Sequence, residues 1–107
     1  MIISTTHSID GRRVGMYLGI VAGQAVLGTN FVRDFFAGIR DVIGGRAGSY
    51  EKELRKAKTV ALEEMAEEAR ELGADAVIGV DLDYQYIGGA ERSMLMVSAN
   101  GTAVKLG

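Results

Sequence analysis

Asp81 and Asp83 sit two apart in the stretch "GVDLDYQ", so an extended backbone turns both carboxylates to one side of a strand. Paired carboxylate oxygens suit a hard cation such as calcium or manganese, but two are too few to close a coordination sphere. Copies from several subunits could complete one, while an ordinary solvated strand face accounts for the same pair. Met94 and Met96 also share a strand face, where thioethers could hold a soft ion such as Cu(I) or simply fill a core. His7 is the single histidine, and the chain has no cysteine, so the usual structural zinc site cannot be built. Nor does its sequence context give His7 an obvious serine or carboxylate companion for catalysis. The stretch "IGGRAGSYEK" offers a different chemistry. A glycine-rich loop opening onto a helix presents backbone N–H groups to an anion, with Arg46, Ser49 and Lys52 around it. A plain helix-to-helix connection with solvated charges explains that loop equally.

No nucleotide fingerprint is present, since the P-loop spacing is absent and "GQAVLG" lacks the glycine pattern of a dinucleotide fold. Tyr84 and Tyr86 alternate along a strand without a basic surround, which suits core or interface rather than base stacking. The net charge is -2, so the overall field attracts neither nucleic acid nor an anionic membrane. The chain carries no run of roughly 20 apolar residues that could span a bilayer, and "MIISTTHSIDGRR" is no signal-peptide pattern. The absence of cysteine fits a cytoplasmic location. These features point to a binding or structural protein rather than an enzyme, with no cofactor expected.

The elements that position these residues follow from periodicity. The 107 residues form one domain, with 48% hydrophobic and 24% charged residues. "IISTT" and "MYLGIVAGQAVLG" read as strands, the second broken by glycines that suggest bulges or close backbone approach. From Asn30, "FVRDFFAGIRDVI" has a broad apolar helical face ended by Gly44 and Gly45. A second helix is predicted from Tyr50 to Leu72, with Ser49 as N-cap, Gly73 as stop and an apolar stripe through Leu54, Ala57, Ala61, Met65, Ala69 and Leu72. Alternation in "ADAVIGVDLDYQYIG" places Ala76, Ile78, Val80, Leu82, Tyr84 and Tyr86 on one face of a strand. "SMLMVSA" is a further strand, and Asn100 with Gly101 marks a turn or bulge before "TAVKL". Strands around a helical middle predict an α+β, two-layer sandwich: a mainly antiparallel sheet with two helices.

Two features point beyond one chain. All three phenylalanines, Phe31, Phe35 and Phe36, lie in the first helix on a face wider than a small sheet would cover, which suits a core, a subunit interface or both. The second helix is charged against its dipole. Four basic residues face two acidic ones from Tyr50 to Ala61, and one basic residue faces five acidic ones from Leu62 to Leu72. Lys52 and Lys56 on one subunit meeting Glu67 and Glu71 on the next would turn that penalty into a head-to-tail contact.

"FFAGIRDVIGGRAGSYEKELRKAK", "LGADAVIGVDLDYQY" and "MLMVSANGTAVK" resemble, in order and spacing, the bacterial YbjQ family, uncharacterised proteins that carry a heavy-metal-binding label. The resemblance spans nearly the whole chain. It implies a compact α+β subunit assembled into a ring-like homo-oligomer, a homopentamer, with no established activity. The metal label goes with cysteines found in some members and absent here, and Gln24 stands where the family often has glutamate. The resulting expectation is a ring that binds a small organic or anionic ligand at subunit junctions, with heavy-metal binding and an intersubunit enzyme as the alternatives.

Overall fold

The computed structural model describes residues 1–33, 48–89 and 92–107. Four strands, β1 (Ile2–Ile3), β2 (Val14–Leu27), β3 (Ala76–Gly88) and β4 (Ser93–Leu106), form one sheet in the order β1-β3-β4-β2. β2 and β3 pair antiparallel with β4, and β1 alone runs parallel, against Ala76 and Val77 of β3. The α+β class and the mainly antiparallel sheet are therefore as expected. Helical residues at 29–33 follow β2, and a long helix, Gly48–Glu71, lies on one side of the sheet.

The long helix follows its predicted stripe at four positions, whereas Leu54 is only partly buried and Leu72 lies past the helix end and is 45% exposed. Ala57, Ala61, Met65 and Ala69 are buried and join Val21, Val77, Val80, Val97, Ala99 and Ala103 in the main core. Small side chains dominate that list, so the helix can lie close to the strands. The approach is closest at Gly23 on β2, where an added Cβ would collide with the Ala61 carbonyl and the Met65 backbone nitrogen. Met65 is the largest side chain in this core that is wholly buried. The helix ends where Gly73 adopts φ +80°, a conformation glycine takes without a Cβ penalty. Ser49 lies inside the helix rather than at its cap.

Both long antiparallel pairings carry a glycine irregularity. On β2 the register shifts between Tyr17 and Gly19, with Gly19 at φ +126°, so the bulge expected of that glycine-rich strand is present. On β3 the register shifts between Ile78 and Asp81, with Gly79 at φ +61°. The second shift overturns the predicted face of β3. A bulge inserts one residue and exchanges the sides that follow. Val77, Val80 and Leu82 consequently face the helix, while Ala76 and Ile78 pack on the opposite side with Val104, Ile9, Val14 and Leu106. The N-terminal segment follows this bend, with Ser4 N–H donating to Val77 O at 2.9 Å and Gly79 N–H donating to Thr6 O at 2.8 Å.

Asn100 and Gly101 are not a turn, because β4 runs through them from Ser93 to Leu106. Gly101 instead makes room. A Cβ there would lie 2.6 Å from Val77 Cγ1 and 3.1 Å from Val80 Cγ2. The β2 ladder runs unbroken through both residues, and the irregularity expected here falls instead on β3, whose bulge lies opposite Gly101, so pairing outweighs the local turn preference of the dipeptide.

Candidate functional site: the open face of the sheet

Alternation along β4 sends Val97, Ala99 and Ala103 to the helix and Met94, Met96, Ser98, Asn100 and Thr102 to the opposite, open face. The register then defines rows across three strands. Gln24 on β2 lies opposite Ser98, and Ser98 lies opposite Asp83 on β3. In the adjoining row, Ala22 lies opposite Asn100 and Asn100 opposite Asp81. Directly opposed residues in an antiparallel pair have Cβ atoms about 5 Å apart. Five polar side chains therefore form a patch in the middle of the open face. Apolar residues flank it, with Ile20 beside Thr102 at one side and Val26, Met96, Met94 and Ile87 at the other.

Asp81 and Asp83 are brought together as expected. A hydrogen bond that its protonated form donates to Asp81, then repulsion from the Asp81 charge, then desolvation hold the Asp83 carboxyl above its ordinary value. Two such carboxylates favour a shared proton or a cation between them. Among the described residues no group of three histidine, cysteine, aspartate or glutamate side chains converges on one point. Gln24, Ser98 and Asn100 extend the oxygen donors around the pair, and sequence reasoning missed Ser98 and Asn100 as its neighbours. The signal was the even-numbered alternation from Met94 to Thr102, hidden by reading Asn100–Gly101 as a break. Met94 and Met96 do share the open face, but their opposite numbers are Ile87, Gln85 and Val26, which offer no further soft ligand. His7 lies against Gly79, its Nδ1 3.5 Å from where a Cβ would stand.

The proposed anion trio is not assembled within the described residues: Arg46 and the side chain of Ser49 lie outside them, and Lys52 is exposed on the long helix. Phe35 and Phe36 also lie outside. Phe31 packs edge-on against Tyr50 of the same chain, with ring centroids 5.9 Å apart at 77°. Lys56, Glu67 and Glu71 are exposed like Lys52. Glu67 is bridged by Arg70 of its own helix at 3.1 Å, and Glu51 by Arg55 at 3.9 Å.

At the end of the sheet a cavity of about 400 Å³ opens between the strand ends, lined by Val26, Gly28, Thr29, Ile87, Arg92, Ser93 and Met94. Thr29 and Ser93 form its frame. The Thr29 hydroxyl donates to the Ser93 carbonyl at 3.0 Å and accepts the Ser93 N–H at 3.3 Å. A second groove of about 260 Å³ runs beside the helix along Ala25, Leu27, Lys56, Ala57 and Val60. Among the described residues no helix is long and apolar enough to cross a membrane.

A helix on one side of a mixed four-stranded sheet, with a polar patch on the opposite face and a cavity at its end, defines a small single-sheet α+β domain. Residues 1–107 match the family model described as "Putative heavy-metal-binding", and the chain belongs to this family, YbjQ. A solved structure with similar architecture is a protein of unknown function of the DUF74 family from Pediococcus pentosaceus. It is 15% identical, with a TM-score of 0.63 over 100% of this chain and 98% of that one. At that identity the likeness bears on the fold alone.

Proposed function

We propose that this protein is a self-assembling, non-catalytic binding protein: a homo-oligomeric ring, pentameric as the family resemblance implies, that holds a small ligand. The observation that supports it most is the apolar surface left open on β2, where Tyr17 is 70% exposed, Ile20 80% and Val26 56%. Apolar side chains exposed on both sides of the polar patch give that face area to bury against a partner. Two sheet edges support the same reading. β2 is an outer strand along Val14–Leu27, and β3 beyond Asp81 has no described partner on the side away from β4. Such edges template pairing with another chain, and two different edges joined head to tail close into a ring. The helix charges add direction, because Lys52 and Lys56 lie about 22 Å from Glu67 and Glu71 at 1.5 Å per residue, too far to neutralise one another within one chain. Light scattering should find wild-type protein oligomeric and Ile20→Asp reduced in mass with unchanged circular dichroism. A wild-type monomer at micromolar concentration would overturn the reading.

A second reading rests on the Asp81–Asp83 contact. A cation replacing the shared proton, with oxygen ligands added from a neighbouring subunit, makes the site one for calcium or manganese rather than for a soft heavy metal. Either ion should raise the melting temperature of the wild type and leave the double variant Asp81→Asn, Asp83→Asn unmoved. Copper or zinc stabilisation that survives both changes would refute it.

A further inference from the structure

The groove beside the helix lies where a strand added to the sheet would place its side chains. Its lining comes from β2 and the long helix alone, with Ala25, Leu27, Ala57 and Val60 as apolar contacts and the exposed Glu53 and Lys56 beside them. β2 is the outermost strand, so the groove opens on the sheet edge rather than toward β4. At about 260 Å³ it is smaller than the roughly 300–1,000 Å³ usual for small-molecule sites, a size that suits a single side chain. Glu53 and Lys56 form no ion pair among the described residues, which leaves a carboxylate and an ammonium at the groove for another group.

The opposite edge of the same sheet carries a matching piece. Beyond Asp81, β3 has no described partner on the side away from β4. Tyr84 lies opposite Val97 of β4, as Ala25 does from the other side, and Tyr86 and Leu27 likewise share Leu95. Directly paired residues share a face, and Val97 belongs to the core under the helix. Both tyrosines therefore stand on the helix side, in the same rows as the groove, and both are more than half exposed. Joining two edges into one continuous sheet keeps helix side with helix side, so Tyr84 arrives where the groove is, while Asp83 and Gln85 face away from it. A tyrosine brings an apolar ring and a hydroxyl that donates and accepts, which fits an apolar recess bordered by a carboxylate and an ammonium. We infer that the groove is filled by Tyr84 of a second copy of this chain, whose β3 edge pairs with the β2 edge of the first. This contact deepens the reading of the protein as an oligomer by naming what the copies exchange, and it rests on that reading. Tyrosine and groove lie on different edges, so each copy gives a ring to one neighbour and receives one from another.

Sedimentation of wild type, Tyr84→Ser and Val60→Glu at micromolar concentration tests the contact from both sides. Both positions are exposed, so the two variants should keep the wild-type circular dichroism while their mass falls toward that of a monomer. Disulfide trapping gives a readout of proximity that does not depend on how strongly the copies associate. The chain has no cysteine of its own. Within one chain β4 sets β3 roughly 10 Å from β2, beyond disulfide reach, so a bond between positions 84 and 60 joins two copies. Mild oxidation of the double variant Tyr84→Cys, Val60→Cys should give a ladder of covalent multimers on a non-reducing gel, and neither single variant should give one. Wild-type mass in Tyr84→Ser, or a double variant that is oligomeric in solution yet forms no ladder, would overturn the contact and leave the assembly reading standing. A wild-type monomer would remove the assembly reading and the contact together.

Discussion

The two faces of the sheet solve opposite problems with neighbouring residues. On β2, Val21 is wholly buried under the helix while Ile20, one residue earlier, is 80% exposed. The helix face is closed by small side chains, by Gly23, which lets the helix backbone meet the strand, and by Gly101, which makes room for the Val77 and Val80 side chains. On the open face, the described residues cover the end near Ile9, Val14, Ile78 and Val104, and a polar patch lies between apolar flanks on the rest. Burial on the first face supplies stability. The second face costs apolar exposure, and its value lies in what it can meet. Changes on the two faces should therefore separate folding from association.

The largest effect is expected at Gly23→Ala. The new methyl meets helix backbone rather than a flexible side chain, so the helix must lift from the sheet. The loss should reach about 3 kcal/mol or more, the upper end of ordinary overpacking. That is a large share of the 5–15 kcal/mol typical of a domain. Urea denaturation measures it, and a loss below about 1 kcal/mol would mean that the helix does not ride on Gly23. Gly101→Ala should cost less, between about 1 and 3 kcal/mol, because the atoms it meets first are side-chain methyls of Val77 and Val80 rather than helix backbone. Its urea midpoint should lie between those of Gly23→Ala and wild type.

These two glycines also show how far local sequence carries. The 3.6-residue stripe of the long helix and its Gly73 stop were legible, because both depend on side chains and backbone within a few residues of each other. The glycine break in β2 was legible as a bulge for the same reason. The faces of β3 were not. A single positive φ at Gly79 exchanges the sides of everything after it, and whether a strand glycine bulges depends on the ladders beside it. Asn100–Gly101 carries the strongest short-range hairpin signal in the chain, yet continuous pairing with β2, and with β3 on either side of its bulge, holds it extended. The Asp81–Asp83 pair was readable from its spacing. Its neighbours Ser98 and Gln24, and the cavity around Arg92, come from register between distant segments, which spacing alone does not encode.

On the open face the expected order reverses. Ile20→Thr keeps the β-branched shape at an exposed position, so the folding free energy should move by less than about 0.5 kcal/mol. Association should weaken all the same, because the change removes apolar area from the proposed contact. Urea unfolding of diluted protein, paired with sedimentation at higher concentration, separates the two quantities. A loss of stability as large as that of Gly101→Ala would show that Ile20 is buried within its own subunit and that the faces do not differ as described.

The smallest effect concerns Asp83, and its sign follows from the direction of its displacement. Asp81 holds the folded-state pKa of Asp83 above the ordinary value of 3.8. Between that value and the raised one, the native chain binds more protons than the unfolded chain, so stability falls as pH rises through the interval. Above it the carboxylates repel in full and the cost persists, whereas below pH 3.8 it vanishes. Asp81→Asn removes the repelling charge while keeping a group that can hydrogen-bond. The variant should lose the downward slope above pH 3.8 and become slightly more stable than wild type at neutral pH. Both carboxylates are exposed, so added salt should shrink the difference. Urea midpoints at closely spaced pH values, with and without salt, read this directly. An unchanged slope in Asp81→Asn would mean that the two side chains titrate independently, which would also remove the basis for a cation between them.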